Sequence, residues 1–233
     1  MNSKLTAIQR LRIQTRHRVS IENHGYQPQA LFWSTQEIQE IRFQKLIELL
    51  PQSYSKSDLL GGNQAWSLLD VGCGFADLQR YMSKQNLFPD YTGIDVSPDM
   101  VRGAKGMAPE LNVFEGELSD FDYVTEQFDY VMLSGALNEV VETEIEGLAN
   151  QQGSYARSVI AQMYRICRCG VAFNLLDRRF AWHETRTDLQ SFYPQEIIEY
   201  CQGFATQVTL VEGYLENDFT VYLHKQPLVI EVD

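Results

Sequence analysis

Residues 68–78 of this 233-residue chain read LLDVGCGFADL, an apolar strand that runs into a tight turn and then into a helix. Gly72 and Gly74 have no Cβ, so a ligand can approach the backbone of the turn closely. The helix that follows presents unpaired N–H groups and a partial positive charge at its first turn. The stretch therefore predicts a ligand-binding turn in an α/β fold, although a G-x-G sequence alone also serves to pack a helix against a strand.

A second motif lies one strand further along the chain. Residues 91–98 read YTGIDVSP, so that Asp95 ends an apolar strand. A carboxylate in this place can accept hydrogen bonds from both hydroxyls of a ribose. Asp95 could instead cap the next helix, but Ser97 followed by Pro98 already supplies a cap. The two motifs together indicate a nucleoside ligand.

Around these motifs, short apolar runs alternate with helical stretches, which is typical of a parallel sheet with crossover helices. Because only residues 215–218 separate the last two strands, we expect those strands to form an antiparallel hairpin at one edge. Seven strands are predicted, at residues 67–72, 91–96, 112–117, 128–134, 170–176, 206–214 and 219–224, with helices at residues 77–85, 98–107, 154–166 and 194–201.

The chain begins with a basic segment, in which Glu22 is the one acidic residue among the first 24. Such an arm would suit a transit peptide, but its apolar residues also fit the stripe of an ordinary amphipathic helix, which we favour. Residues 38–50 have near-helical apolar spacing and end at Pro51. A polar, turn-rich stretch at residues 53–63 follows as a predicted linker. The predicted stripe of the first helix is Leu5, Ile8, Leu11, Thr15 and Val19.

The net charge, the apolar runs and the cysteines of the chain argue against several classes of function. A net charge of −12 argues against nucleic acid as a partner, because a grip on phosphates needs clustered Lys and Arg. No apolar run approaches the roughly 20 residues that span a bilayer. The four cysteines show neither zinc-site spacing nor a secreted disulfide pattern. We expect a globular cytoplasmic protein without a metal, a nucleic-acid partner or a membrane partner, and its oligomeric state stays open.

The glycine turn separates two classes of nucleotide-binding protein. The NAD fingerprint has a third glycine where this chain has Asp77, and it usually follows apolar residues rather than an acid such as Asp70. Residues 68–225 instead resemble the class I S-adenosylmethionine-dependent methyltransferases, whose first motif reads much like D-x-G-C-G-x-x-x-L. The resemblance implies S-adenosylmethionine as cofactor and S-adenosylhomocysteine as product. It also implies a Rossmann-like doubly wound sheet of order 3-2-1-4-5-7-6 at residues 63–233, beneath an N-terminal helical lid at residues 1–62.

The resemblance assigns cofactor contacts residue by residue. Glu117 and Leu118 match the place where an acid and a backbone N–H read the adenine edge, although family members more often have Asp there. Ser134 and Asn138 match the segment beneath the methionine moiety and beside the methyl group. Arg42 could pair with the cofactor carboxylate through a bidentate contact, or it could lie on a solvated helix face. The two motifs supply the remaining predicted contacts, Asp70, Gly72, Cys73, Gly74, Asp95, Val96 and Met100.

Transfer from a sulfonium needs alignment of the acceptor and exclusion of water, and it needs a base only if the acceptor must lose a proton. His183, just after the fifth strand, and His24 are the candidate bases, while His17 and His224 look peripheral. A surface loop position is the alternative for His183. The candidate acceptor contacts are Trp33, Tyr26, Asn138 and Trp182, and Trp33 could equally be a core residue.

We therefore expect an enzyme that methylates an oxygen or nitrogen atom of a small molecule. Two other functions stay open at this point. One is a nicotinamide-dependent oxidoreductase, which Asp70 and the missing third glycine disfavour. The other is a noncatalytic cofactor-binding or interaction module that keeps the fold without turnover.

Overall fold

The computed structural model describes residues 4–54, 66–141, 153–181, 185–186 and 188–225. Short 3₁₀ turns lie at Pro28–Leu31, Gln52–Tyr54, Leu118–Asp120 and Ala136–Asn138. The helices are α1 (Ala7–His24), α2 (Gln36–Ile47), α3 (Asp77–Lys84), α4 (Pro98–Met107), α5 (Ser154–Ile166) and α6 (Pro194–Gln202). The strands are β1 (Ser67–Val71), β2 (Asp90–Asp95), β3 (Asn112–Glu115), β4 (Phe128–Ser134), β5 (Cys167–Leu176), β6 (Gln207–Val211) and β7 (Asp218–His224).

These strands form one sheet in the order β3-β2-β1-β4-β5-β7-β6. Strands β1 to β5 pair in parallel, whereas β7 runs antiparallel to both β5 and β6. The predicted strand order and late hairpin are confirmed. Because β1 pairs with both β2 and β4, the winding of the sheet reverses at β1, and a crevice opens at the carboxyl ends of these strands.

The sheet is buried on both faces, which explains why its strands read as nearly continuous apolar runs. Leu69 and Val131 point to the face that α5 and α6 cover. Leu68 and Met132 point to the opposite face, where they pack with residues of α2, α3 and α4. Helix α2 thus shares a core with the sheet. The predicted linker at residues 53–63 lies largely outside the described residues.

Helix α1 confirms the prediction of a helix near the N-terminus, but the predicted apolar stripe is wrong. Ile8, Leu11 and Val19 are 81%, 59% and 48% exposed, while Ile13 and Ser20 are buried. The helix begins with a capping box between Thr6 and Gln9. It docks mainly through polar side chains whose partners lie about 80 to 170 residues away in the sequence. Tertiary hydrogen bonds and ion pairs therefore decide which face of α1 is buried.

Within the described ranges, no helix combines the length and apolar character needed to cross a membrane.

Candidate active site

A cavity of about 400 Å³ lies at the carboxyl ends of β1, β2 and β4. Its floor is the glycine turn together with the segments that follow β2, β3 and β4. Residues 5–42, from the start of α1 through most of α2, cover it and are called the roof below. Its lining includes all but one of the predicted cofactor contacts, namely Asp70, Gly72, Cys73, Gly74, Asp95, Val96, Glu117, Leu118, Ser134, Asn138 and Arg42.

Met100 is the exception, and its prediction as a cofactor contact is not supported by its position. It is fully buried in a small cluster with Ala30 and Phe75, and it does not line the cavity. Its backbone N–H donates to the Oγ of Ser97 at 3.4 Å. Met100 therefore helps to anchor the first turn of α4 and packs against part of the roof.

Two positions of the turn, Gly72 and Gly74, require glycine because of their backbone conformation and because a side chain would have no room. Gly72 and Gly74 have φ values of +71° and +54°, which favour glycine over residues with a side chain. A Cβ on Gly72 would collide with the Cβ of Ala136, and one on Gly74 would lie 2.7 Å from the side chain of Leu31. The N–H groups of Gly72 and Cys73 donate to the carbonyl of Ile94 at 2.8 and 3.0 Å. The turn is thus held firmly against β2 and beneath the roof.

Asp95 is buried, and its carboxylate is fixed from two sides. Oδ2 accepts a hydrogen bond from the N–H of Gly74 at 2.9 Å, and Oδ1 accepts one from the N–H of Ser97 at 2.8 Å. The side chain of Ser97, as predicted, caps α4. Burial raises the pKa of Asp95, while His17 and the two backbone donors lower it. Since a carboxylate offers about four acceptor sites, each oxygen keeps one for a ligand.

Asp70 lies at the end of β1 and is also buried. The hydroxyl of Tyr91, on the neighbouring strand, donates to its Oδ2 at 2.8 Å. Burial raises the pKa of Asp70 to about 7, against the opposing effect of the Tyr91 hydrogen bond. Asp70 therefore titrates near neutral pH beside the glycine turn. Tyr91 was predicted only as a strand residue, and its role as partner of Asp70 emerges from the pairing of β1 with β2.

Glu117, which follows β3 and lines the cavity, forms hydrogen bonds with the basic segment at the N-terminus of the chain. Its carboxylate accepts from the N–H of Leu5 at 3.1 and 3.3 Å and from Nη2 of Arg10 at 2.9 Å. Arg10 also pairs with Asp120 at 2.7 Å. The adenine contact predicted for Glu117 would share this carboxylate with the arm. The basic arm thus docks on the acidic body beside the third strand.

Arg42 is buried rather than solvated, so the alternative of an exposed helix face is wrong. Its Nε donates to Oδ2 of Asp218 at 2.9 Å, and its Nη2 donates to Oδ1 of the same carboxylate. The bidentate contact predicted with the cofactor is therefore made with Asp218. The guanidinium carbon lies 4.4 Å from the ring centroid of Trp33, which packs over Gly135.

The segment after β4 is held by amide side chains. Oδ1 of Asn138 accepts from the N–H of Leu176 at 3.1 Å. Oγ of Ser134 donates to Oδ1 of Asn174 at 3.3 Å, and Nδ2 of Asn174 donates to the carbonyl of Arg42. Ser134 and Asn138 both line the cavity, so the predicted methyl-side segment is positioned by β5 and by α2.

The prediction that His17 is peripheral is wrong, because His17 lines the same cavity, together with Glu139, which the sequence did not indicate. Nε2 of His17 lies 3.4 Å from Oε1 of Glu139, and Nη1 of Arg16 lies 2.5 Å from Oε2. Although burial alone would raise the pKa of Glu139, the hydrogen bond from His17 and the charge of Arg16 lower it. The histidines of α1 are seven residues apart, and nothing in their spacing indicated which one faces the cavity.

Only some of the residues predicted to contact the acceptor or to act as its base line the cavity. Trp33 lines the cavity, whereas His24 and Tyr26 are exposed and do not line it. His224 lies on β7, away from the cavity lining, and burial lowers its pKa. His183 and Trp182 lie outside the described residues. Among the residues that are described, no three His, Cys, Asp or Glu side chains are grouped as a metal site would require.

The chain is similar to methyltransferases in sequence. A family model for a methyltransferase domain matches residues 68–170. A Mycobacterium tuberculosis protein named as a methyltransferase is 28% identical over 165 residues, which cover 69% of this chain and 93% of that protein. The malonyl-acyl-carrier-protein O-methyltransferase of Salmonella typhimurium is 27% identical over 152 residues, covering 61% of this chain but only 55% of that relative. These matches do not favour the nicotinamide alternative.

The fold is also that of known methyltransferases. The crystal structure of magnesium protoporphyrin IX methyltransferase from Synechocystis, with bound S-adenosylhomocysteine, superposes with a TM-score of 0.58 at 11% identity. The superposition covers 83% of this chain and 89% of that one. At this level of identity the likeness concerns the fold alone.

Proposed function

We propose that the chain is a class I S-adenosylmethionine-dependent methyltransferase that methylates an oxygen or nitrogen atom of a small molecule. The observation that carries the proposal is the roof. Side chains of α1, of α2 and of the segment between them, including Ile13, Arg42 and Trp33, cover the cavity, whose volume falls in the range of small-ligand sites. A macromolecular acceptor would need an open groove in this place.

The residues of the floor fit the cofactor, S-adenosylmethionine. Asp95 retains one free acceptor site on each oxygen, as the two hydroxyls of a ribose require. Gly72 and Gly74 line the cavity, so the backbone of the turn is within reach of the amino acid part of the cofactor. When bound, the cofactor supplies a methyl group on a sulfonium, which leaves as the neutral thioether of S-adenosylhomocysteine.

The acceptor end of the proposed site lies beyond Asn138. Trp33 and Ile38 supply an apolar wall there, and the charge of Arg42 is balanced by Asp218. A flat acceptor with a polar group would suit an aromatic wall beside a balanced ion pair. The name of the Salmonella relative supports oxygen as one acceptor atom.

The test combines binding with transfer. Calorimetry should show that purified protein binds S-adenosylhomocysteine and does not bind NADH. Incubation with methyl-labelled S-adenosylmethionine should transfer label to members of a panel of phenols, carboxylic acids and primary amines. Label that appears only in total RNA or in protein, with none in the panel, would contradict the proposed acceptor class. Binding of NADH in place of S-adenosylhomocysteine would contradict the cofactor.

We further propose that the enzyme works in the cytoplasm. All four cysteines are free thiols, and three of them are buried, which suits a reducing compartment. Fractionation of cells of the source organism, followed by detection with an antibody, tests this. Recovery in a membrane or secreted fraction would contradict it.

A further inference from the structure

The one imidazole that lines the cavity is that of His17, among the residues that the structure describes. Its side chain is only 13% exposed. Nε2 faces the carboxylate of Glu139, but Nδ1 is buried and meets no hydrogen-bond partner in the described parts of the chain. A buried polar atom without a partner is uncommon in a folded protein and requires an explanation.

The contact between Glu139 and the imidazole of His17 indicates which ring nitrogen carries the proton. Because Glu139 accepts from Nε2, the neutral ring keeps its proton on Nε2 and leaves a lone pair on Nδ1. Arg16 holds the second oxygen of Glu139 at 2.5 Å, so this carboxylate cannot easily turn away. The charged groups around the ring are Glu139 and Arg16, together with Asp95 below it. A carboxylate, an imidazole and a free lone pair in this order form the arrangement of a general base.

We propose that Nδ1 of His17 accepts the proton of the methyl acceptor, with Glu139 as the residue that positions the ring. This inference rests on the proposed function. As the acceptor O–H or N–H bond breaks, its proton passes to Nδ1. The acceptor lone pair forms the new bond to the methyl carbon, and the electron pair of the broken carbon–sulfur bond stays on sulfur. The imidazolium then returns its proton to water.

The cofactor ribose is the other group that could satisfy Nδ1, since His17 lies close enough to Asp95 to influence its pKa. However, Asp95 keeps one acceptor site on each oxygen, so both ribose hydroxyls already have a partner. The lone pair on Nδ1 is therefore left for the second substrate.

Two measurements need no acceptor. In the complex with S-adenosylhomocysteine at about pH 8, nitrogen NMR of labelled histidine should show Nδ1 unprotonated and Nε2 protonated. The affinity for S-adenosylhomocysteine should stay within about threefold of wild type in H17N and in the control T15A, an exposed change on the same helix. A protonated Nδ1 would overturn the proposal because it leaves no lone pair for the acceptor proton. A loss of about tenfold or more in H17N would overturn it because that result places His17 on the cofactor.

A third measurement compares phenol with thiophenol, which at this pH is largely a thiolate and needs no base. H17N should slow single-turnover methylation of phenol by about 100-fold and that of thiophenol by less than about threefold. Equal losses for the two acceptors would overturn the proposal. If wild-type protein binds S-adenosylhomocysteine but methylates neither compound, the NMR and binding results decide the role of His17 by themselves.

Discussion

Arg42 and Asp218, on α2 and β7, form a bidentate ion pair in which the two side chains are only 4% and 1% exposed. The pair ties the roof to the sheet beside the cavity, which both residues line. Removing one partner of such a pair leaves an uncompensated buried charge. An exposed ion pair, in contrast, adds little to stability because water and salt screen it.

Replacement of Asp218 by alanine should therefore lower the free energy of unfolding by about 3–5 kcal/mol. Urea denaturation measures this directly. The matched control is Glu48→Gln, which breaks the exposed pair between Glu48 and Lys45 and should cost less than about 1 kcal/mol. Similar losses of unfolding free energy in the two variants would show that the buried pair stabilises the protein no more than the exposed pair does.

Asp95→Ala should weaken binding of S-adenosylhomocysteine by about 1.5–3 kcal/mol, the scale of hydrogen bonds to a charged group. Calorimetry on folded protein gives the value. Asp90→Asn, at the exposed start of the same strand, should leave the affinity unchanged. If Asp95→Ala folds and binds as tightly as wild type, Asp95 does not hold the ribose.

Asp70 should make the stability of the protein depend on pH. Its pKa in the folded state is about 7, above the ordinary value of 3.8, so folding favours the protonated form. The stability linked to this proton is fully present below the unfolded pKa and is lost as the pH rises through about 7.

Between about pH 5 and pH 8, wild type should lose roughly 2–3 kcal/mol more unfolding free energy than Asp70→Asn, which carries no titrating proton. Urea denaturation at the two pH values provides the comparison. The amide of the variant can still accept from Tyr91, which keeps the local packing. Parallel losses in both proteins would mean that Asp70 stays ionised in the fold.

Gly72→Ala should prevent folding or destabilise it by several kcal/mol, since its Cβ would collide with Ala136 at a positive φ. Gly72→Ala combined with Ala136→Gly should recover part of that loss by removing the collision while the backbone strain remains. Gly106→Ala is the control, because a Cβ there meets nothing within 4 Å and the residue lies in α4. That change should stabilise the protein by about 0.5–1 kcal/mol. The melting temperatures of the three proteins rank these effects.

Arg10→Ala should loosen α1 from the body, because Arg10 bridges Glu117 and Asp120. Hydrogen–deuterium exchange of residues 7–24 should become faster, and added salt should produce a similar change in wild type by screening the ion pairs. Exchange in β4 should stay the same and serves as the internal control. Unchanged exchange in α1 would show that the ion pairs of Arg10 do not hold the helix in place.

The sheet could be predicted because its signals are local. The alternation of apolar runs and helices, and the short connection before β7, depend on neighbouring residues only. The role of the turn came from a resemblance that covers the motifs at Asp70 and Asp95. Both are placed at the cavity, where the resemblance expects them.

The roof was harder to predict, since its contacts join residues that are far apart in the chain. His17 and Glu139 belong to segments with no shared periodicity, and Arg42 meets a carboxylate 176 residues away. The predicted apolar stripe of α1 was wrong for the same reason, because the spacing of apolar residues does not reveal ion pairs with distant loop residues such as Glu117 and Glu139. That α1 docks on the rest of the protein through polar side chains becomes visible only in the folded structure, where its distant partners lie next to it.

The wide separation of these contacts also bears on how the protein is made. The roof leaves the ribosome well before its partners Glu117, Glu139 and Asp218, which are synthesised later. Contacts of such high sequence separation carry a large loop-closure cost and form late in folding. The roof should thus remain undocked on the nascent chain until β7 emerges. On a ribosome-bound chain, the glycine turn would then form while the cavity above it is still uncovered, before the proposed acceptor site exists.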